Sequence, residues 1–464
     1  MSEITSTEID YSTKVNNHST IIYRKLNPQG ASTQIALSSS STVGPVEVVL
    51  GPSVFNPSKC RLNFQLELPD PGATVKASWL NANALSIFSR VVVYDANTNN
   101  LLLDCSNLEK YAAMVVPAST SFAEFSTKSG NTQQGTYAQK MPITSAGSTP
   151  YPFEDIGKSN SLVNVSFDNT ALAGTTGVNS FQGRKQLYVG TDTEKSFIDF
   201  TIPFSAFKHT FMALNKNVYS PSNLIFQFYL NATDNFAWYS ASVTDPTSGT
   251  AVSIPATAYI NTFNLEIANE NNLQIVSQVI NNVMSPSGVS IPIAYPTCVR
   301  QSLASSTSHS YQLVLSRAYG QRILAIVTAP FNVGATINVR NEHKRDVLGV
   351  YNKFLNGVAI NYPNGIDATL GEDWKYDAKE YCEDSAIQTL GEYWLAEWFT
   401  IDSFVGSKPL SQLDMTLIDG LDVGTQSSTW QIQAALTSAT AYVWVTAILG
   451  QKIATFSASG VMVQ

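Results

Sequence analysis

Cys60-Arg61-Leu62-Asn63-Phe64-Gln65-Leu66-Glu67-Leu68 is the stretch on which the fold turns. Leu62, Phe64, Leu66 and Leu68 alternate with Arg61, Asn63, Gln65 and Glu67. Successive side chains of a strand point to opposite faces, so this period of two predicts a strand with one face buried and one wet. The alternation recurs at Ile198, Phe200, Ile202 and Phe204, then at Leu224, Phe226, Phe228 and Leu230. It returns at Tyr259, Phe263, Leu265 and Ile267, at Tyr311, Leu313 and Leu315, and at Trp430, Ile432 and Ala434. The denser runs Val91–Tyr94, Ile323–Val327 and Tyr442–Val445 predict strands covered on both faces. Asn356-Gly357, between Phe354-Leu355 and Val358–Ile360, predicts a two-residue hairpin.

Helical signals are few. Leu273, Val276, Val279, Ile280 and Val283 repeat at a spacing of three and four, and Pro286 and Gly288 stop the pattern. Asp104 to Val116 predicts a short helix stopped by Pro117, and Asp377 to Leu390 another ending at Gly391. Residues 117–195 and 231–257 are rich in Ser, Thr, Gly and Asn with little apolar periodicity, which predicts long ordered loops rising from a β scaffold. The first thirty residues read as an extended polar arm. Strand candidates fall in about equal number on either side of residues 268–290, so the physical reading is two antiparallel β-sandwiches in tandem around a helical joint.

Composition narrows the function classes. The 464 residues hold 27 basic and 35 acidic side chains, a net charge of -8, which disfavours a protein that coats nucleic acid through a basic face. Charged residues are 13 %, about half the usual quarter, whereas hydrophobic residues are 44 %, so the chain can bury a large core. No apolar stretch approaches the ~18–20 residues of a membrane helix. The N-terminus shows no basic region followed by an apolar one, so no signal peptide is expected. Cys60, Cys105, Cys298 and Cys382 are too few and too dispersed for a disulfide framework, and a reducing compartment is expected. Asn-x-Ser/Thr triplets at Asn17, Asn164 and Asn231 are frequent by chance in so Asn- and Ser-rich a chain.

Reactive groups are sparse. His18, His209, His309 and His343 lie far apart, and none neighbours a cysteine at metal-ligand spacing. His209, following Phe204 and Phe207, reads as a packing or strand-end residue. No G-x-S-x-G elbow occurs. Ile156-Gly157-Lys158-Ser159 ends like a phosphate loop, but the required first glycine is Pro152. Glu372, Asp373, Asp377, Glu380, Glu383 and Asp384 lack the alternation and glycine of a calcium loop and read as a solvated or subunit-contact face. Glu392 and Glu397 flank Tyr393 and Trp394 close to Trp398, where an interface or core aromatic cluster outweighs a sugar site. His343-Lys344-Arg345 is too small for a nucleic-acid site. No catalytic, cofactor-binding or metal-binding residue is assigned, and no cofactor is expected.

A large, low-charge chain with two sandwiches and long loops resembles the double jelly-roll major capsid proteins of icosahedral double-stranded DNA viruses. The resemblance runs from about residue 33 onward. In the second half, Ser310–Leu315, Arg322–Ile326, Trp394–Phe404, Leu417–Leu421, Thr429-Trp430, Tyr442–Val445 and Gly460–Val463 follow one another. That order is similar to the C-terminal jelly roll of capsid proteins from polinton-like viruses, virophages and related eukaryotic DNA viruses. The resemblance implies an all-β fold of two tandem eight-stranded jelly-roll β-sandwiches with long loops and a few short helices. It implies an N-terminal arm at 1–32, a first jelly roll at 33–267 with long loops at 117–195 and 231–257, a helical linker at 268–290 and a second jelly roll at 291–464.

The function so implied is a non-enzymatic major capsid protein. Homotrimers would form pseudo-hexagonal capsomers of an icosahedral shell, located in the virion after assembly in the host cell. Partners would be neighbouring capsomers and penton and minor capsid proteins, with no sequence-specific nucleic acid; an internal membrane beneath the shell is left open. Low charge, 11 % aromatic residues and seven Trp fit large protein–protein interfaces. The alternatives are a trimeric receptor-binding or fibre-head protein, for which no fibrous repeat is visible, and a β-sandwich carbohydrate-active enzyme, which needs a carboxylate pair in a cleft.

Overall fold

The structure, a computed structural model, describes residues 19–30, 34–68, 77–80, 84–120, 185–189, 196–240, 252–253, 256–332, 348–360, 362–367, 380–382, 400–406, 408–413 and 420–464. The alternating stretch that opens the argument is the strand Arg61–Leu68, with Leu62, Phe64, Leu66 and Leu68 buried. It lies in a seven-stranded antiparallel sheet whose path is Ser196–Pro203, Arg61–Leu68, Thr257–Glu270, Ser53–Phe55, Val218–Ser220. A four-stranded sheet, Val43–Leu50, Leu224–Leu230, Phe88–Asp95, Leu101–Ser106, faces it. Phe64 shows the layering. Its ring centroid lies 5.1 Å from Phe200 in its own sheet and 5.7 Å from Phe88 in the facing one, and Phe228 crosses back to Phe263 at 5.5 Å. Each such buried ring contributes about 1.5–3 kcal/mol by leaving water, and paired rings about 0.5–1.5 kcal/mol more.

In the second half, two strands are exceptionally long: Val289–Leu315 with 27 residues and Ser428–Ser457 with 30. They pair antiparallel from Val289 opposite Phe456 to Leu315 opposite Ser428, and the register slips between Leu303 and Ser308. At that slip the ribbon folds over, because Tyr311 on one side of it stacks on Trp444 from the other, with centroids 6.2 Å apart and planes at 16°. One end of the ribbon is flanked by Arg322–Asn332 and the other by Leu348–Leu355. The ribbon therefore supplies both layers of the second sandwich. Fifteen strands precede the helix Leu273–Val283 and nine follow it among the described residues. In the second part each long strand does the work of two, one segment in each layer.

The dense apolar runs are explained by this layering. Tyr442, Trp444 and Ile448 face the interior of the second sandwich, whereas Val443, Val445, Ala447 and Leu449 face the first half. Thr446, the polar residue that interrupts the run, hydrogen-bonds Thr328 on the neighbouring strand, Oγ1 to Oγ1 at 2.8 Å. Between the halves lies the helix Leu108–Ser119. Leu108, Tyr111, Ala112, Met114, Val115, Val116 and Ala118 are all buried, and the helix touches Phe88–Asp95 on one side and Arg322–Asn332 and Ser428–Ser457 on the other. A helix apolar around most of its circumference belongs between two packed bodies.

Several local expectations change. The helix expected over Asp104–Val116 starts later, at Leu108, because Asp104 belongs to the strand Leu101–Ser106, where it pairs with Arg90. It runs through position 117 to Ser119; a proline so near the end removes only one backbone bond, and burial on both sides outweighs that loss. The polar arm is not free throughout: Ile21–Leu26 pairs with Leu265–Glu270, and beyond the arm Gln34–Ser38 pairs with Asn261–Thr257. The segments 117–195 and 231–257 are not loop alone. Lys185–Val189, Ala237–Ser240 and Val252–Ser253 join Ala77–Leu80 in a further four-stranded sheet. The hairpin at Asn356-Gly357 is present, with φ of 52° and 78° suiting a tight turn that only such residues adopt readily. The helix expected over 377–390 falls outside the described residues apart from the short turn Glu380–Cys382.

Candidate functional site: the seam and an uncharged sheet face

Among the described residues, none of the groups weighed as reactive is brought together. His209 and His309 are buried in different halves, and His18 and His343-Lys344-Arg345 fall outside the described residues. So do Ile156–Ser159, Glu372, Asp373, Asp377, Glu383, Asp384 and Glu392–Trp398. Asn231 is buried, with Nδ2 donating to Ser86 O at 3.2 Å, which is a structural task. The four cysteines are buried and outside any disulfide; burial pushes the Cys60 thiol up to about 12 and also raises Cys105 and Cys298, which disfavours the thiolate. Among the described residues no three His, Cys, Asp or Glu side chains gather where a metal ion could sit.

What the fold does concentrate is polar chemistry along the seam. Asp95, buried at the end of its strand, accepts from Asn97 N and Thr98 N at 2.9 Å each through Oδ1. Its Oδ2 accepts from Ser220 Oγ at 3.3 Å, from Ser222 Oγ, and from the backbone N of Val461 at 3.3 Å. Thr98 Oγ1 then donates to Val461 O at 2.6 Å. The turn Asp95–Asn100 of the first half is thus clamped on the last strand, Gly460–Val463, of the second. Gly460 has φ of +115°, and a Cβ there would sit 2.9 Å from Thr98 Cγ2, so glycine is what allows the approach. A second link runs from Asn107 Nδ2 to Cys298 O at 3.2 Å. Glu109 lies in the same seam; burial raises its carboxyl, while Lys110 and Arg300 lower it.

Two buried networks stiffen the second sandwich. Lys353 Nζ meets Asp402 Oδ1 at 2.6 Å with both side chains buried, and Trp430 Nε1 donates to Asp402 Oδ2 at 2.7 Å. Trp444 Nε1 donates to His309 Nδ1 at 3.0 Å and His309 Nε2 meets Ala304 O at 3.1 Å, which fixes the ring tautomer. Neither network is legible in the sequence, because the partners are far apart in it. The turn chemistry of Asp95 was the one available signal: an Asp ending a strand before Ala-Asn-Thr-Asn.

The outward face of this sandwich has a distinct chemistry. Ser310, Gln312, Val314, Gln431, Gln433 and Ala435 lie on it, opposite buried Tyr311, Leu313, Trp430, Ile432 and Ala434. No charge occurs among these six, and Val314 is 56 % exposed. A sheet face without charge is suited to meet another protein surface with little desolvation cost.

No protein-family model matches the sequence, and no curated protein matches it. Solved structures do. The crystal structure of the mavirus major capsid protein matches with a TM-score of 0.51 and 10 % identity, covering 95 % of this chain and 90 % of that one. The PBCV-1 virus capsid, in a quasi-atomic model, matches at 0.49 and 8 % identity over 96 % and 97 % of the two chains. The Sputnik virophage, by cryo-EM, matches at 0.46 and 10 % identity over 97 % and 91 %. The described residues form an all-β chain with two jelly-roll β-sandwiches in tandem, and over 95 % of its length the chain shares the fold of the mavirus major capsid protein.

Proposed function

We propose that the chain is a major capsid protein whose homotrimers form pseudo-hexagonal capsomers of an icosahedral virus shell, in the virion. The observation that carries this reading is the fold shared with the mavirus major capsid protein over 95 % of the chain. Two physical features support it. The seam joins the two sandwiches through a buried helix and the Asp95 clamp, as a rigid tile requires. The uncharged face around Gln312 and Gln433 is a fitting contact for a second copy, whose charge-poor interface core it would join. The role is structural; neighbouring capsomers, penton and minor capsid proteins are the partners, and a membrane beneath the shell is compatible with it. The division into an arm at 1–32, jelly rolls at 33–267 and 291–464 and a linker at 268–290 is part of the same reading.

Native mass spectrometry at micromolar concentration tests it, beside electron microscopy of assembled material. The expected species is a trimer at three times the 50.3 kDa chain mass, packing into hexagonal arrays or shells. Gln312→Glu with Gln433→Glu should dissociate the trimer while leaving the circular dichroism spectrum intact, because like charges would face a desolvated contact. A wild-type monomer as the dominant species overturns the reading.

A further inference from the structure

A cleft of about 430 Å³ opens on the seam. One wall belongs to the first half and carries Lys208, Leu214 and Lys216; the other belongs to the second half and carries Pro292, Ala294 and Leu413. His209 lines the cleft as well, its Nε2 2.8 Å from Ser119 Oγ. Among the described residues the lining thus holds two lysines, several apolar side chains and no carboxylate. Lys216 is exposed and pairs with no carboxylate among the described residues.

The path of the chain brings a complementary segment to this cleft. Ser19 Oγ donates to Glu270 Oε2 at 2.6 Å and Thr20 N to Oε1 at 2.8 Å. Asn217 Nδ2 donates to the same Oε2 at 3.2 Å, and Asn217 directly follows Lys216. The chain before Ser19 therefore starts out within a residue or two of the cleft. Residues 1–18 carry Glu3, Glu8 and Asp10 against one lysine, Lys14, and one histidine, His18, and interleave the acids with Ile4, Ile9 and Tyr11. Eight residues lie between Asp10 and Ser19, nine Cα–Cα steps with a reach of up to about 30 Å when extended, ample for a seat that begins beside Lys216.

We propose that residues 1–18 dock in the seam cleft of their own chain, with the carboxylates of Glu3, Glu8 and Asp10 toward Lys208 and Lys216 and the isoleucines against Leu214, Pro292 and Leu413. Tethering beside the site raises the effective concentration of the segment, so weak contacts suffice. A segment seated there touches both halves at once and adds a third tie to the seam. The proposal is independent of the capsid reading: a chain that stayed monomeric would show it equally.

A zero-length carbodiimide cross-linker applied to the full-length protein, followed by peptide mass spectrometry, tests it. Cross-links joining Glu3, Glu8 or Asp10 to Lys208 or Lys216 are expected, falling at least tenfold between 50 mM and 500 mM salt as screening sets in. Their absence overturns the proposal. Two copies are then co-expressed, one with Lys208→Gln and Lys216→Gln, the other with Glu3→Gln, Glu8→Gln and Asp10→Asn. Neither can cross-link within itself, so none of these cross-links is expected. Their appearance in the mixture would place the segment on a neighbouring copy and overturn the own-chain seat.

Discussion

Val461 N–H donates to Asp95 Oδ2 at 3.3 Å although 366 residues separate the two in sequence. The bond closes the second jelly roll onto the first, and it does so through a carboxylate that already orders its own turn. Asp95→Ala would strand the Val461, Ser220 and Ser222 donors together. Hydrogen bonds to charged groups are worth about 1.5–3 kcal/mol each and do not add fully, so a loss of about 3 kcal/mol or more is expected. Thermal unfolding followed by calorimetry checks it, and an unchanged melting temperature would remove the clamp from the account.

The Lys353–Asp402 pair should behave asymmetrically. Lys353→Met alone leaves a buried carboxylate without its cation and should cost about 3–5 kcal/mol. Lys353→Met with Asp402→Asn removes both charges while keeping an oxygen for Trp430 Nε1, and should recover most of that loss. Denaturant midpoints of the two single variants and the double variant, read as a thermodynamic cycle, decide the matter. A double variant as unstable as the worse single one would contradict it.

Phe226 is 1 % exposed, and its ring lies 5.9 Å from that of Phe204 across the first sandwich. Phe226→Ala should destabilise by about 3–5 kcal/mol, chiefly through the cavity left behind. Urea unfolding with an unchanged slope and a lowered midpoint is the expected signature. A shift below about 1 kcal/mol would mean that the site collapses freely.

Burial lowers His209 from the ordinary histidine value to about 3, assisted by Lys208. The folded state therefore resists a proton that the unfolded state takes up below pH ~6.5. Stability is fully present above that value and falls as pH drops toward 3, by at most about 1.4 kcal/mol per pH unit. Glu270 is held below its usual range, its hydrogen bonds from Ser19, Thr20, Asn217 and the Asn272 backbone outweighing burial, so its contribution is lost only at more acid pH. Between pH 6.5 and 5 Glu270 stays ionised, and the buried Glu109, whose raised carboxyl opposes the His209 trend, contributes alike to wild type and variant. In that window, His209→Gln, which keeps a donor for Ser119, should flatten the decline in melting temperature seen for the wild type; parallel curves would rule His209 out as the cause.

Much of the architecture was legible because one-sided burial writes itself into a period of two. Leu62, Phe64 and Leu66 face the core as their spacing requires, and so do Phe226, Phe228, Trp430 and Ile432. The runs at Ile323–Val327 and Tyr442–Val445 correctly announced burial on both faces, which is the seam seen from the second half. Ile21–Leu26 escaped notice for the opposite reason. It is mostly exposed, so its pairing with Leu265–Glu270 rests on backbone bonds that leave no apolar rhythm. The interrupting Thr446 and the turn residue Asp95 acquire their meaning only from Thr328 and Val461, partners that the fold alone brings near.

The folded-over ribbon of Val289–Leu315 and Ser428–Ser457 has a mechanical consequence. In a sandwich whose layers are separate strands, the layers can slide past one another by giving up side-chain contacts alone. Here the same two stretches of covalent backbone run through both layers, and Tyr311 and Trp444 lock the crease from inside. Shear applied to one layer is carried directly into the other along bonded chain, and a displacement at one rim of the second half is transmitted to the opposite rim instead of being absorbed between them.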